Sequence, residues 1–330
     1  MKLNKHLPAT LAALNVLGLI GALAVPATSF AQAWPAKPIR LVIGFAPGGG
    51  VDINARLLAP KLSEIIGQSV IVENKPGAGT NIANDIVAKA APDGYTMLMN
   101  TAAVAINMSL YKSVPFDTLR DFAAVSIFST SPNVLVVSSA IPAKTVKEFI
   151  ALARSQPGKL NYSSAGAGTT QHLSGELLKT LTKTYIVHIP YSGSAPSLTA
   201  LVAGDVQMSF ANIPAISQQV KAGKLRALAL TGAKRSDMLP GVPTMKESGI
   251  DMNVDVWYGV LVPAKTSTEI VHKLADGIGK VAREPDMKKR LLDLGAEPLG
   301  NTPEEFSKIL TAEVATWAKV VKASGASATD

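Results

Sequence analysis

The sequence predicts an α/β fold of two domains, on three observations. Compact apolar runs recur along the chain and each empties into a turn of small or polar residues. Each turn leads into a segment whose apolar residues recur at helical spacing, the alternation that builds a largely parallel sheet with its site at the strands' carboxyl ends. Finally, a chain of 330 residues is long enough for two cores.

Residues 1–33 read as a secretory leader. Lys2 and Lys5 precede an apolar run from Leu7 to Val25, and Ala31-Gln32-Ala33 forms an A-x-A junction, so the mature chain is expected to start at Trp34. Thr10, Asn15, Thr28 and Ser29 interrupt the run and argue against a retained membrane anchor. There is no cysteine, which excludes disulfides and a lipid-modified cysteine at the junction. The expected product is a soluble protein of the periplasm. Loss of the two lysines takes the net charge from +8 to about +6. The basic residues are dispersed and aromatics make up only 5%, so nucleic acid is not an expected partner and the charge serves solubility.

The first strand is Ile39 to Phe45, opening onto Ala46-Pro47-Gly48-Gly49-Gly50. A helix follows with Asp52 as its expected N-cap and Ala55, Leu57, Leu58, Leu62, Ile65 and Ile66 as its buried stripe, ending at Gly67. Val70 to Glu73 is the second strand, followed by Asn74 to Thr80 and a helix through Ile82, Ile86 and Val87. Asp93-Gly94 turns the chain into a third strand, Tyr95 to Met99, that ends at Asn100-Thr101. Two apolar runs, VSIF and VLVVSS, flank Ser129 to Asn133 and mark a crossing into the second domain.

Thr145 to Glu148 has the form of a capping box, opening a helix that stops before Pro157-Gly158. The next stretch is the most informative. Leu160 to Ser163 is a short strand, and Ser164 to Gly168 holds small side chains that let backbone N–H groups approach a ligand closely. Thr169 or Thr170 then caps a helix bearing Leu173, Leu177, Leu178 and Leu181. A helix start leaves N–H groups unpaired and carries about half a positive charge, so the stretch reads either as an anion cradle or as a tight turn.

Ile186 to Ile189 is another strand, opening onto Pro190 to Ser194 and a helix over 195–203. Val206 to Phe210 follows, ending at Ala211-Asn212, then a helix from about Pro214 and a strand from Leu225 to Leu230. Val254 to Val262, carrying Trp257-Tyr258, is the expected return crossing. Capping boxes are expected at Thr244 to Glu247, Thr266 to Glu269 and Thr302 to Glu305, and the tail helices are expected to cover the first domain.

Catalytic chemistry finds little support. The expected mature chain has three histidines, His172, His188 and His272, and lacks H-E-x-x-H, G-x-S-x-G and Walker motifs. His272 and His188 read as structural, and His172 as a brace for the turn. Gly77-Ala78-Gly79-Thr80 opens a helix as a dinucleotide loop does, but Met99-Asn100 stands where an acidic residue would hold the ribose. No cofactor and no metal are expected. Asp52 could contact a ligand's ammonium or hydroxyls or only cap its helix, and Tyr191 and Trp257 could line a cleft or fill the core.

Five segments together, KPIRLVIGFAPGGGVDINARLLAPKLSE, VIVENKPGAGTNIA with APDGYTML, LNYSSAGAGTTQHLSGELL, IPYSGSAPSLTALVAGDVQMSF and VWYGVLVPA, closely resemble the Bug family. These are the extracytoplasmic solute receptors of tripartite tricarboxylate transporters. The resemblance implies a type II periplasmic-binding-protein fold, with a discontinuous first domain (34–134 and 257–330) and a second domain (135–256) joined by two crossing strands. It implies a monomer that captures a small carboxylate by closure of the domains and presents it to large and small membrane subunits. The carboxylate would be a dicarboxylate, a tricarboxylate, an amino acid or an aromatic acid. Mapped onto this chain, the ligand residues are Phe45, Pro47, Gly48 and Gly49, with Asp52 behind them, then Gly77, Ala78, Gly79 and Thr80, and Asn100 and Thr101. In the second domain they are Ser163, Ser164, Ala165, Gly166, Gly168, Thr169 and Thr170, then Tyr191 and Gly193, with Asn212 at the rim. Two departures alter polar contacts: Phe210-Ala211-Asn212 lacks an aspartate common in relatives, and Val51-Asp52-Ile53 stands where small hydroxyl residues are common. A secreted hydrolase and a receptor that signals to a sensor are the alternatives.

Overall fold

The computed structural model describes residues 34–328; the expected leader lies outside the described residues. In chain order the first half comprises β1 (Ile39–Ile43), α1 (Gly50–Ile66), β2 (Val70–Asn74), α2 (Asn81–Ala88), β3 (Thr96–Asn100), α3 (Ala103–Leu110), α4 (Thr118–Asp121) and β4 (Phe122–Ser138). Next come α5 (Val146–Ser155), β5 (Asn161–Ser164), α6 (Thr170–Thr182), β6 (Val187–Pro190), α7 (Ser194–Ala203), β7 (Met208–Asn212), α8 (Ile213–Lys221) and β8 (Leu225–Leu230). The chain closes with β9 (Asp255–Pro263), α9 (Thr268–Arg283), α10 (Pro285–Asp293), β10 (Glu297–Pro298) and α11 (Pro303–Ser324).

Two sheets share β4. In the first lobe β2, β1 and β3 run parallel, β9 joins antiparallel to β3, and β4 and then β10 complete the sheet. In the second lobe β4 lies between β8 and β7, both antiparallel to it, and β5 and β6 extend the sheet in parallel with β7. Parallel strands covered on both faces read as continuous apolar runs, and β1 obeys: Ile39, Leu41, Val42 and Ile43 are fully buried. The expected gap between VSIF and VLVVSS is absent. Ser129 to Asn133 stays extended because β9 pairs with β4 as far as Pro132, and β7 and β8 take over from Asn133.

Helices cover both faces of each sheet. In the first lobe α1, α9 and α10 bury Leu58, Leu62, Leu274, Ile278 and Leu291 on one face. The other face carries α2, α3 and α11, and its apolar cluster continues without a break into the second lobe through Leu135, Phe210 and Leu173. The last helix therefore differs from expectation. It packs on α3 and β4 but also on α6, so it spans both lobes. Beyond it, Ala328 donates to the carbonyl of Leu110 at 3.0 Å and ties the chain's end to α3.

Several local expectations need correction. Gly49, not Asp52, is the N-cap of α1. Ile65 of the expected α1 stripe is exposed, as are Ile82 and Leu181, because helical spacing marks a stripe without saying how wide a face the neighbours cover. Thr302 and Glu305 exchange both bonds of a capping box, whereas α9 is capped by Ser267. Thr244 and Glu247 also exchange both bonds, yet no helix follows. The two bonds satisfy a turn equally well, so the motif alone does not propagate a helix.

Candidate functional site

The loops at the carboxyl ends of β1, β2, β5, β6 and β7 converge on one cleft of about 770 Å³ between the lobes. Three helices of ten residues or more start on it: α1 at Gly49 to Val51, α6 at Thr169 to Gln171, and α7 at Gly193 to Pro196. None of the residues lining it carries a charged side chain. Each helix start presents unpaired N–H groups and a partial positive charge, so the cleft attracts an anion by backbone dipoles alone.

The first lobe contributes two loops that lean on each other. A Cβ on Gly44 would lie 2.5 Å from that of Thr80, so glycine is required where the β1 loop crosses the β2 loop. Gly77, Ala78, Gly79 and Thr80 have φ values of 132°, 45°, 58° and 83° in succession. For alanine and above all for β-branched threonine this backbone is strained, and it persists only where the surroundings fix it. The brace is an amide network: Asn84 and Asn100 both donate to Thr80 Oγ1 at 3.3 Å, and Asn100 also donates to Asn84 Oδ1 at 2.7 Å. Asp52 anchors the other loop. Its buried carboxylate accepts from Gly48 N–H at 3.0 Å and Asn74 Nδ2 at 2.9 Å, and pairs with Arg56 at 3.0 Å. Burial alone would raise its pKa, but the bonds from Arg56, Gly48 and Asn74 outweigh it and hold the group below the usual carboxylate range.

In the second lobe Thr169 caps α6, accepting from His172 N–H at 3.2 Å and donating to the carbonyl of Gly166 at 2.8 Å. Gln171 Oε1 accepts from Ala165 N–H at 2.8 Å, and its Nε2 reaches Ser194 Oγ at 3.4 Å, tying the α6 and α7 starts together. Behind the loop, the rings of His172 and His188 stack with centroids 3.9 Å apart. His172 Nδ1 accepts from Gly168 N–H at 3.2 Å, and His188 Nε2 meets Ser164 Oγ at 2.7 Å. Burial pushes the His172 pKa down to about 4, with Glu176 opposing and Lys179 assisting. Burial also lowers His188, with His172 and Lys179 adding to the effect. A neutral His172 keeps Nδ1 free to accept the Gly168 bond.

On the floor, Tyr258 Oη accepts from Asn212 Nδ2 at 3.2 Å and lies 3.4 Å from Ser131 Oγ, joining β9 and β7 across the lobes. Burial raises the phenol's pKa against these bonds, so the group is a neutral hydroxyl.

Of the residues expected at the site, Phe45, Pro47, Gly48, Gly49, Gly77, Ala78, Gly79, Thr80 and Thr101 line the cleft from the first lobe. Ala165, Gly166, Thr169, Thr170, Tyr191, Gly193 and Asn212 line it from the second. Five do not. Asp52 and Asn100 brace the loops just described, Ser163 is buried against Ser197, Ser164 against His188, and Gly168 faces α3. The histidines do not line it either. Gln171, Ser194 and Tyr258 line the cleft without having been expected there. Trp257, by contrast, packs edge-on against Phe306 at 5.1 Å.

The family model described as "Tripartite tricarboxylate transporter family receptor" matches residues 54–326. Protein BugT of Bordetella pertussis is 35% identical over 317 residues, covering 95% of this chain and 97% of that protein. Among solved structures, Rpa4515 of R. palustris with adipate is 38% identical with a TM-score of 0.84, over 89% of this chain and 99% of that one. MatC from Rhodopseudomonas palustris with bound malate is 31% identical with a TM-score of 0.82, over 87% and 100%. The two-lobed α/β architecture is thus that of a periplasmic binding protein, and the chain belongs to the tripartite tricarboxylate transporter receptor family.

Proposed function

We propose that this protein captures a small carboxylate in the cleft, without chemistry, and delivers it to large and small membrane subunits of a tripartite tricarboxylate transporter. The observation that carries this reading is a cleft lined by helix starts from both lobes and by no charged side chain. Such a site holds a carboxylate by N–H groups and hydroxyls, and offers no carboxylate to an ammonium group. Acids without an amino group should therefore outrank amino acids of the same length. Relatives solved with adipate and with malate agree with a two-ended acid. The segments 34–134 with 257–330 and 135–256 act as the closing units, hinged where β4 changes partners, in a periplasmic protein released from its leader at Trp34.

The test is a thermal-shift screen of refolded, ligand-free protein against mono-, di- and tricarboxylates, amino acids and aromatic acids. A ligand at 100 times its Kd adds about 2.7 kcal/mol, a shift of several degrees. Stabilisation by one class of acid, recovered unchanged afterwards, is expected. No shift across the panel would overturn the carboxylate reading, and turnover of a bound acid would overturn the absence of chemistry.

A further inference from the structure

The two glycines whose neighbours are most telling face each other's lobe. A Cβ on Gly168, in the α6 loop of the second lobe, would collide with Oδ1 of Asn107 and lie 3.3 Å from Leu110, both on α3 of the first lobe. A Cβ on Gly79, in the first lobe's strained loop, would collide with Tyr111 Oη and lie 2.7 Å from the carbonyl oxygen of Ala167 in the second. Both glycines have positive φ, 80° and 58°. Backbone therefore meets backbone across the lobes at this rim, and α3 lies under the meeting point.

Asn107 is the side chain that touches both partners. It is fully buried, and its Nδ2 donates to the carbonyl of Gly79 and to Asn81 Oδ1, each at 2.7 Å. Those two bonds fix which amide end points where, leaving Oδ1 turned toward Gly168 with no hydrogen-bond partner among the described residues. The same amide thus holds the first lobe's ligand loop by bonds and seats the second lobe's ligand loop by contact, although it does not itself line the cleft.

We propose that Asn107 is a positioning residue that couples the two ligand loops, so that order in one lobe's cradle is transmitted to the other when they meet. Its consequence for capture rests on the receptor reading above. The coupling itself does not, and it is tested in the ligand-free protein.

The experiment is amide hydrogen exchange on full-length mature protein carrying Asn107→Ala. Exchange should quicken about tenfold in both 77–81 and 165–169, since two buried bonds and an interlobe seat are lost. A residue that merely braces its own lobe would loosen 77–81 alone, and that result overturns the proposal. Gly168→Ala provides the reverse direction and does not depend on Asn107→Ala folding: its methyl strikes Asn107, and exchange should quicken in 77–81 of the opposite lobe. Gly204→Ala is the control for backbone strain, with φ of 88° and nothing within 4 Å of the added carbon. It should leave 77–81 unchanged. If Gly168→Ala alters only its own loop, the coupling is refuted. With adipate as probe, Asn107→Ala should also weaken binding by about tenfold. Failure of the wild type to bind adipate would count against that acid as ligand, while the exchange pattern would still decide the coupling.

Discussion

The first-lobe loop at Gly77 to Thr80 and the second-lobe loop at Ser164 to Thr169 present backbone to the same cleft, and they are held by opposite means. The first is strained, with four successive positive φ values, and is braced by amides that do not titrate. The second follows a side-chain-capped route into α6 and is braced by two stacked histidines. The first loop thus has no titrating group among its own braces, whereas the second depends on imidazoles remaining neutral.

Acid gives the largest test of that contrast. The folded His172 pKa of about 4 lies below its ordinary 6.5, so the unfolded chain takes up the proton first. The corresponding stability is full above about pH 6.5 and is lost as pH falls toward 4, amounting to roughly 3 kcal/mol at most. Melting of ligand-free protein between pH 7 and 4 should show this fall, and His172→Asn, which keeps an acceptor but no ionisable ring, should make it shallower while the part owed to His188 remains. An equally steep fall in His172→Asn would break the comparison.

Asn100→Ala attacks the other brace. It strips Thr80, Asn84 and the N–H of Thr101 of buried partners and should cost about 2 kcal/mol, by the same amount at pH 7 and pH 5. A pH-dependent loss would show that a titrating group takes part in this brace. Thr169→Ala removes the cap of α6 and should cost about 1 kcal/mol, measurable by urea denaturation. Tyr258→Phe should change stability least, and it sharpens the picture from the floor between the two loops. Losing the acceptor of Asn212 should weaken adipate binding by about fivefold in calorimetry with little change in melting temperature. Unchanged affinity would remove Tyr258 from the binding surface.

Much of the architecture was legible because α/β units announce themselves locally: an apolar run, a small-residue turn, a helical stripe. That logic placed the loops after β1, β2, β5, β6 and β7 at one cleft. It did not say which side of a loop faces the ligand. Ser163 and Ser164 sit in the right stretch, but their hydroxyls meet Ser197 of α7 and His188 of the histidine stack. Trp257 and Tyr258 illustrate the same limit, since neighbours on a strand point to opposite faces and period alone does not tell which face is the cleft.

Residues adjacent in the chain carry the class of fold, the loop chemistry and the scarcity of charge in those loops, so all three are legible without any long-range contact. That Asn107 lies between Gly79 and Gly168, that α11 spans both lobes, and that Tyr258 meets Asn212 emerge from the folded chain alone. Those contacts join residues tens of positions apart or more, and no local propensity encodes where two separately formed surfaces will touch.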